Sequence, residues 1–124
     1  MHYIKIYTIS GGSGPEGMSV GRAAAIQMST AVASIAENSG GKSYAYRASK
    51  TGLNMAMKCL SIDLQPEGIL VMSMHPGWVQ TEMGGPGALI DTTTCAKTMI
   101  ETLYQLTEKD HGAFLRYNNT PIQW

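Results

Sequence analysis

The feature that most constrains the fold is a long helical stretch followed at once by a compact apolar run. The helix is predicted over Ser43–Leu64 and must stop before Pro66, which lacks the backbone donor that a helix interior needs. Ile69–Met74 then reads as a buried strand that ends at Pro76. A helix leading into a strand in this way is part of a strand–helix–strand crossover, the unit from which parallel sheets are built.

A second helix and strand follow the first. Asp91 can cap a helix that runs from Thr92 to about Thr107, and Gly112 closes it. Ala113–Tyr117 is then predicted to be a short strand. The alternation of strands and helices predicts an α/β fold with a parallel sheet and right-handed connections.

Two parts of the chain are less decisive. Ala23–Ser29 reads as a buried parallel strand, but its three alanines also favour helix, so the residues alone leave both possibilities open. Thr81–Leu89 is rich in glycine, and we expect it to form a flexible lid. Trp78, just before it, could line a pocket or pack beneath that lid.

The first 17 residues form a poorly defined N-terminal segment. Residues 1–9 could be a short strand, and residues 10–17 are rich in turn formers. Gly12, Gly14 and Gly17 fit the bare G-x-G-x-x-G spacing of a dinucleotide-binding turn. Because Pro15 interrupts the pattern and no helix is predicted next, we interpret it as a surface loop.

Composition bounds the class of protein. The chain has 124 residues, enough for one domain, and its nine Lys and Arg balance its nine Asp and Glu. This balance gives no indication of a nucleic-acid or membrane partner. No apolar run reaches the roughly 20 residues of a membrane span, and no signal peptide is recognisable. Cys59 and Cys95 lack metal-ligand spacing, so we expect reduced thiols, no metal and a cytoplasmic location.

Tyr46 and Lys50 are the candidate catalytic pair. Four residues apart on a helix, they share one face, which places a phenol beside an ammonium group. A neighbouring positive charge favours the phenolate form of a phenol, so that it can exchange protons near neutral pH. Interconversion of a carbonyl and an alcohol needs such a group. Because so short a pattern also arises by chance, the pair by itself is weak support.

Three ordered segments give the pair a context. Gly40–Asn54 resembles the active-site helix of short-chain dehydrogenases/reductases, and His75–Gly85 resembles the segment after their next strand. Phe114–Trp124 is similar to the C-terminus of one subgroup, the sniffer-type carbonyl reductases and C-factor-like proteins. The resemblance extends from about Met18 to Trp124.

The resemblance implies a Rossmann-like fold, represented here by its C-terminal half. Residues 18–124 would be the C-terminal part of a doubly wound parallel sheet, with about three parallel strands and flanking helices. It also implies that Ala23–Ser29 is a strand, at the edge where a neighbour is missing. The glycine-rich turn that binds the cofactor pyrophosphate in the family would lie upstream.

The resemblance also assigns the catalytic residues. Tyr46 would be the acid/base, and Lys50 would bind the nicotinamide ribose. The family pattern has a serine pair at a strand end; here Thr30 occupies the catalytic slot and Ser29 the one before it. Threonine offers the same hydroxyl as serine, but its methyl group crowds the pocket and restricts the rotamer.

Cofactor contacts are implied after the second strand. Pro76 and Gly77 would form the turn, Val79 would offer its backbone and Thr81 its hydroxyl to the nicotinamide carboxamide. By analogy the cofactor would be NADP(H) rather than NAD(H). His75 matches no catalytic position of the family and is interpreted as a structural residue at the strand end.

Two alternatives remain for the whole chain. One is the catalytic half of an NAD(P)H-dependent carbonyl reductase acting on a small carbonyl substrate. The other is a truncated, catalytically incompetent remnant that at most pairs with other chains. The helix at 43–64 is apolar nearly all round, so one side should pack on the sheet. The other side either forms a homodimer interface, as the resemblance implies, or stays exposed.

Overall fold

The computed structural model describes residues 17–124, so the strand predicted for residues 1–9 lies outside the described residues. The described chain forms three strands and two α-helices in alternating order: β1 (Ala24–Met28), α1 (Tyr44–Leu64), β2 (Leu70–His75), α2 (Thr92–Gln105) and β3 (Phe114–Arg116). Two short 3₁₀ turns lie at Ala31–Ala33 and Glu108–Asp110.

The three strands form one parallel sheet in the order β1-β2-β3, which confirms the predicted fold class. Ala24 of β1 pairs with Leu70 of β2, and Ser73 of β2 pairs with Phe114 of β3. The strand at the end of the order, β1, has a neighbour on one side only among residues 17–124. It is therefore an edge strand, as expected, and it exposes one row of backbone hydrogen-bonding groups.

The observed boundaries differ slightly from the predicted ones. Strands β1 and β3 are each one residue shorter at both ends than predicted, and β2 is shifted one residue onward to include His75. The second helix ends at Gln105 instead of Thr107, because Leu106 already has extended backbone angles. Its predicted start is confirmed: the Asp91 carboxylate accepts a hydrogen bond from the Thr94 amide at 2.9 Å.

The two faces of the sheet have different chemistry. Side chains alternate along a strand, so each face receives every second residue. One face is apolar throughout and packs against α2 and the segment after it. The sheet contributes Ala24, Ile26, Leu70, Met72, Met74 and Leu115, and the covering segment contributes Met99, Leu103 and Leu106. The opposite face lies under α1, where Ala25 and Val71 pack around Met57.

The helix α1 covers its face with few buried side chains. Asn54, Met57 and Ser61 are its buried residues, at the three- and four-residue spacing of a single stripe. Met55 and Ile62 are 65% and 63% exposed on the outer side. The prediction that one side of this helix packs on the sheet is confirmed.

Neither helix within residues 17–124 is long and apolar enough to cross a membrane.

Candidate active site

The candidate residues gather at the carboxyl edge of the sheet. In a parallel sheet all strands end at the same edge, and ligands bind in the crevice beyond it. Ser29 and Thr30 follow β1, Pro76 and Gly77 follow β2, and Tyr117 follows β3. The sequence had placed its candidates at these strand ends, and the parallel topology brings them to one side of the molecule.

Ser29 and Thr30 turn their hydroxyl groups to different surroundings. Ser29 is buried; its amide donates to the carbonyl of Met74 at 2.8 Å and its hydroxyl to the side-chain oxygen of Asn54 at 2.6 Å. Thr30 is half-buried and caps the Ala31–Ala33 turn, where its hydroxyl oxygen accepts a long 3.4 Å bond from the Val32 amide. The Ser29 hydroxyl donates its proton to Asn54 of α1. The Thr30 hydroxyl only accepts a bond, so its proton remains available to a ligand.

Tyr46 and Lys50 lie on the first two turns of α1, on one helical face with Asn54. Burial increases along this row: Tyr46 is 42% exposed, Lys50 is half-buried and Asn54 is buried. Since Asn54 bonds Ser29, the row runs from solvent into the strand end that carries Thr30. Tyr46 is thus at the open end of the row, and Lys50 follows it one helical turn later.

Arg47, inside the same motif, fixes this helix to the turn after Thr30. Its guanidinium donates to the carbonyl of Val32 at 2.9 Å, and one turn later the Thr51 hydroxyl donates to the carbonyl of Ala33 at 2.7 Å. These bonds hold the start of α1 against the strand-end turn. Neither residue is among the candidates predicted from the sequence; the position of the arginine beside the candidate tyrosine was the available signal.

The entry to α1 has an unusual backbone. Gly41, Lys42 and Ser43 all have left-handed angles, with φ of 59°, 61° and 50°. For the two residues other than glycine this conformation costs roughly 1–3 kcal/mol each unless the surroundings hold it. Arg47 contributes that hold, because its Nε donates to the carbonyls of Gly41 and Lys42 at 2.9 and 3.2 Å.

The turn after β2 needs a glycine. Gly77 has φ of 91°, and a Cβ atom there would lie 2.6 Å from the Ile90 side chain and 3.2 Å from the Tyr117 ring. Beyond the turn, Val79 and Ile90 form a bridge that closes the loop. Gly77 thus permits the close approach of this loop to the ends of β2 and β3.

The glycine-rich loop predicted to be a lid has a defined set of hydrogen bonds. Trp78 donates from its indole nitrogen to the carbonyl of Gly84 at 2.7 Å, so of the two roles considered it anchors this loop. The Thr81 hydroxyl donates to the carbonyl of Val79 at 3.4 Å and accepts from the Gly84 amide at 3.1 Å. Both groups expected to meet a carboxamide therefore bond within the loop in this structure.

His75 lies at the end of β2, between the other two strand ends. Burial and, second, the positive charge of Arg116 lower the pKa of His75 below its ordinary value. Its backbone carbonyl accepts a hydrogen bond from the Tyr117 amide at 2.8 Å. Arg116 in turn pairs with Glu37 at 2.7 Å.

Metal chemistry finds no support in the part of the chain that the structure describes, where no group of three or more His, Cys, Asp or Glu could hold an ion. Within residues 17–124, Cys59 is exposed and Cys95 buried, and neither forms a disulfide.

The fold and this arrangement match one family. A profile of the short chain dehydrogenase family matches residues 19–88, which is more than half of the chain. The chain belongs to the short-chain dehydrogenase/reductase family.

Individual relatives indicate the branch. C-signal of Myxococcus xanthus is 43% identical over 91 residues, which are 73% of this chain and 55% of that protein. The carbonyl reductase Sniffer of D. melanogaster superposes with a TM-score of 0.86 at 48% identity, covering 88% of this chain and 44% of that one. An NADPH-bound carbonyl reductase from chicken fatty liver gives 0.81 at 36% identity, covering 88% and 46%.

The chain spans about half the length of these relatives. The family match confirms the predicted family. The three-stranded parallel sheet confirms the predicted Rossmann-like fold, of which this chain contains a part. The roles of individual residues stay predictions, since similarity of fold does not test them.

Proposed function

We propose that this chain carries the catalytic half of an NAD(P)H-dependent carbonyl reductase. The observation that supports this most is the attachment of the Tyr46–Lys50 helix to the strand-end turn of Thr30, through Arg47 and Thr51. Catalysis by proton transfer requires such fixed relative positions. A helix with a chance tyrosine and lysine would not need them.

Each residue has a distinct role in the proposed reduction. Thr30 donates a hydrogen bond that polarises the substrate carbonyl, and Tyr46 gives its proton to the carbonyl oxygen. Lys50, one turn behind the phenol, stabilises the phenolate that remains. Ser29 supports Thr30 from the buried side through its bond to Asn54. A nicotinamide cofactor, when bound, would supply the hydride for the carbonyl carbon.

The residues present fit the nicotinamide end of the cofactor. Lys50 would bind the ribose, while Val79 and Thr81, after the Pro76-Gly77 turn, would hold the carboxamide once their bonds within the loop open. Within residues 17–124, no strand is followed directly by a G-x-G-x-x-G turn that opens a helix, the usual pyrophosphate site. We propose NADP(H) rather than NAD(H) because the chicken carbonyl reductase is NADPH-bound.

The second candidate is a catalytically incompetent remnant that acts, at most, as an interaction module. The observation that favours it is the uncovered groove between β1 and α2. Within residues 17–124 the outer edge of β1 has no strand partner, and it lies beside a groove of about 820 Å³ between the sheet and α2, lined by Ile26, Met28, Met99 and Leu103 among others. A parallel sheet is ordinarily covered on both faces. This surface is therefore where a missing half of the domain would matter most.

A homodimer through helix 43–64 fits either candidate. Met55, Cys59 and Ile62 are exposed on one side of α1 at three- and four-residue spacing. An apolar stripe of this kind suits association with a second copy of the same helix. We also propose a cytoplasmic location, in keeping with the two unpaired thiols among the described residues.

Cofactor titration separates the two candidates. The purified chain is titrated with NADPH and its fluorescence followed, and turnover is then measured with an aldehyde and a quinone. Saturable quenching together with turnover supports the reductase. A folded chain that neither binds NADPH nor reduces either substrate supports the remnant.

The variant Tyr46→Phe tests the assigned acid. It should lower kcat by about 10²–10⁴-fold while leaving NADPH binding in place, because it removes only the proton donor. Tyr44→Phe is the matched control, since Tyr44 is on the same helical turn but 86% exposed. Equal losses in the two variants would contradict the assignment.

A further inference from the structure

The interface between the sheet and α1 contains a cluster of unsatisfied polar atoms. Among residues 17–124, the side-chain oxygen of Gln27, the side-chain nitrogen of Asn54, the Ser73 hydroxyl and Nδ1 of His75 are buried without a hydrogen-bond partner. Gln27, Asn54 and Ser73 are at most 5% exposed. Buried polar groups in folded proteins are almost always bonded to protein or to ordered water. Their concentration in one interface indicates a shared partner.

Strand register places three of the four side chains together. Gln27 and Ser73 are directly paired across β1 and β2, so their backbones are about 4.8 Å apart. Both lie two residues beyond Ala25 and Val71, which pack against α1, and therefore point to the same face. His75 follows Ser73 by two residues, about 6.6 Å along the same face.

The helix supplies the fourth side chain. Asn54 lies one turn before Met57, which packs on this face, and its oxygen accepts the Ser29 hydroxyl at 2.6 Å. Ser29 follows β1, two residues beyond Gln27. The Asn54 side chain therefore enters the same interface next to the end of β1, and its amide nitrogen is buried there without a partner.

The donors and acceptors of the cluster are complementary to water. The Gln27 nitrogen donates to the carbonyl of Met28 at 2.9 Å, which leaves its oxygen as an acceptor. The Asn54 nitrogen is a donor, and the Ser73 hydroxyl can serve as either. Burial lowers the pKa of His75, with a smaller effect of Arg116, which favours the neutral ring, in which Nδ1 can serve as donor or acceptor. A water molecule offers two hydrogens and two lone pairs.

We propose that this interface is a built internal water site, in which one or two bound water molecules bridge Gln27, Asn54, Ser73 and His75. The site lies next to Ser29, whose hydroxyl donates a hydrogen bond to the side chain of Asn54. The proposal goes beyond the proposed reductase function and does not depend on it, because neither cofactor nor turnover enters the argument. Buried waters of this kind typically make about three hydrogen bonds to polar groups that have no other partner.

A double-mutant cycle on the full chain tests the proposal. Gln27→Met and Ser73→Ala, singly and together, are compared with the parent by equilibrium unfolding in denaturant. Each single variant should lower the folding equilibrium constant by roughly three- to tenfold, because it removes a ligand of the bridging water. The double variant should lose little more than the worse single variant. Unchanged or raised stability in both single variants would overturn the proposal, because removing an unpaired buried polar group costs nothing.

Ser19→Ala is the matched control. The Ser19 hydroxyl is also buried and without a partner among residues 17–124, but it belongs to the segment before β1 and not to this interface. Its removal should leave the folding constant unchanged or raise it. A loss equal to that of Ser73→Ala would overturn the proposal, because the effect would then be common to any buried serine.

A crystal structure of the full chain gives the direct readout. The proposal expects a density peak within about 3.2 Å of at least three of the four atoms. Direct bonds between the side chains, with no peak between them, would overturn it whatever the unfolding data show.

Discussion

The two faces of the sheet serve different purposes. Under α1 the face carries Gln27, Ser29, Ser73 and His75, polar side chains that lead to the carboxyl edge and its candidate catalytic residues. The face toward α2 is apolar along its length and opens into the groove beside β1. The difference shows that the candidate site residues lie beside a polar interface within the described chain, whereas the apolar face keeps an open groove there.

The largest effect should come from the apolar face itself. Leu70 is fully buried, and Leu70→Ala should lower the free energy of unfolding by about 2–5 kcal/mol through the cavity it leaves. Ile100 also lines the groove but is 53% exposed, so Ile100→Ala should cost less than about 0.5 kcal/mol. Urea unfolding measures both. A large loss of stability in Ile100→Ala would show that the groove is covered in solution, and the two faces would then not differ in cover.

The next effect concerns the link between the polar face and α1. Asn54→Leu removes the acceptor of the Ser29 hydroxyl and should cost about 1–3 kcal/mol, since a buried donor is left without a partner. Adding Ser29→Ala removes that donor as well and should recover part of the loss. Thermal and urea unfolding of the two singles and the double give the coupling. Purely additive losses would mean that the bond contributes nothing.

A smaller effect is expected at the entry to α1. Arg47→Met removes bonds to three backbone carbonyls and should cost about 1–2 kcal/mol, discounted because the side chain is partly exposed. Amide hydrogen exchange should become faster in the 31–33 turn and at the start of α1. Lys58→Met is the control, because Lys58 makes one long bond of 3.5 Å to Gly112. Unchanged exchange in Arg47→Met would show that the helix is held by other contacts.

The smallest effect is a dependence on pH. The folded-state pKa of His75 is lowered by burial and by Arg116, so below its unfolded value of about 6.5 the unfolded chain binds more protons. Stability should therefore fall as pH drops from about 7 toward 5. His75→Gln should flatten that part of the profile, measured as the midpoint of urea unfolding against pH. Identical profiles would show that His75 does not contribute.

Much of the fold was predictable because its signals are local. Pro66 ends α1, Asp91 caps α2, and the apolar run after each helix is a strand. The first strand needed more: the segment reads as a buried parallel strand, but its alanines favour helix, and only the family resemblance decided for strand. Tertiary pairing with β2 is what makes Ala24–Met28 extended.

The supports of the candidate site were not predictable in the same way. The bond between Ser29 and Asn54 joins residues 25 positions apart, and the Arg47 guanidinium reaches back 15 residues to Val32. Neither contact leaves a periodic pattern in the sequence, because hydrogen-bond geometry depends on how α1 lies over the sheet. The candidate residues could thus be named from the motif, but what positions them could not.

The proposed reductase function depends most on Tyr46 acting as the proton donor of an active site that lies within residues 18–124. The most direct measurement uses a chimera in which these residues follow the N-terminal half of the D. melanogaster carbonyl reductase. This chain and that reductase are 48% identical over the superposed part. The NADPH-dependent reduction rate of this chimera is then compared with that of its Tyr46→Phe variant. We expect an active chimera and a loss of at least about 10²-fold in the rate of the variant. A folded, NADPH-binding chimera without activity, or one that Tyr46→Phe leaves active, would contradict it.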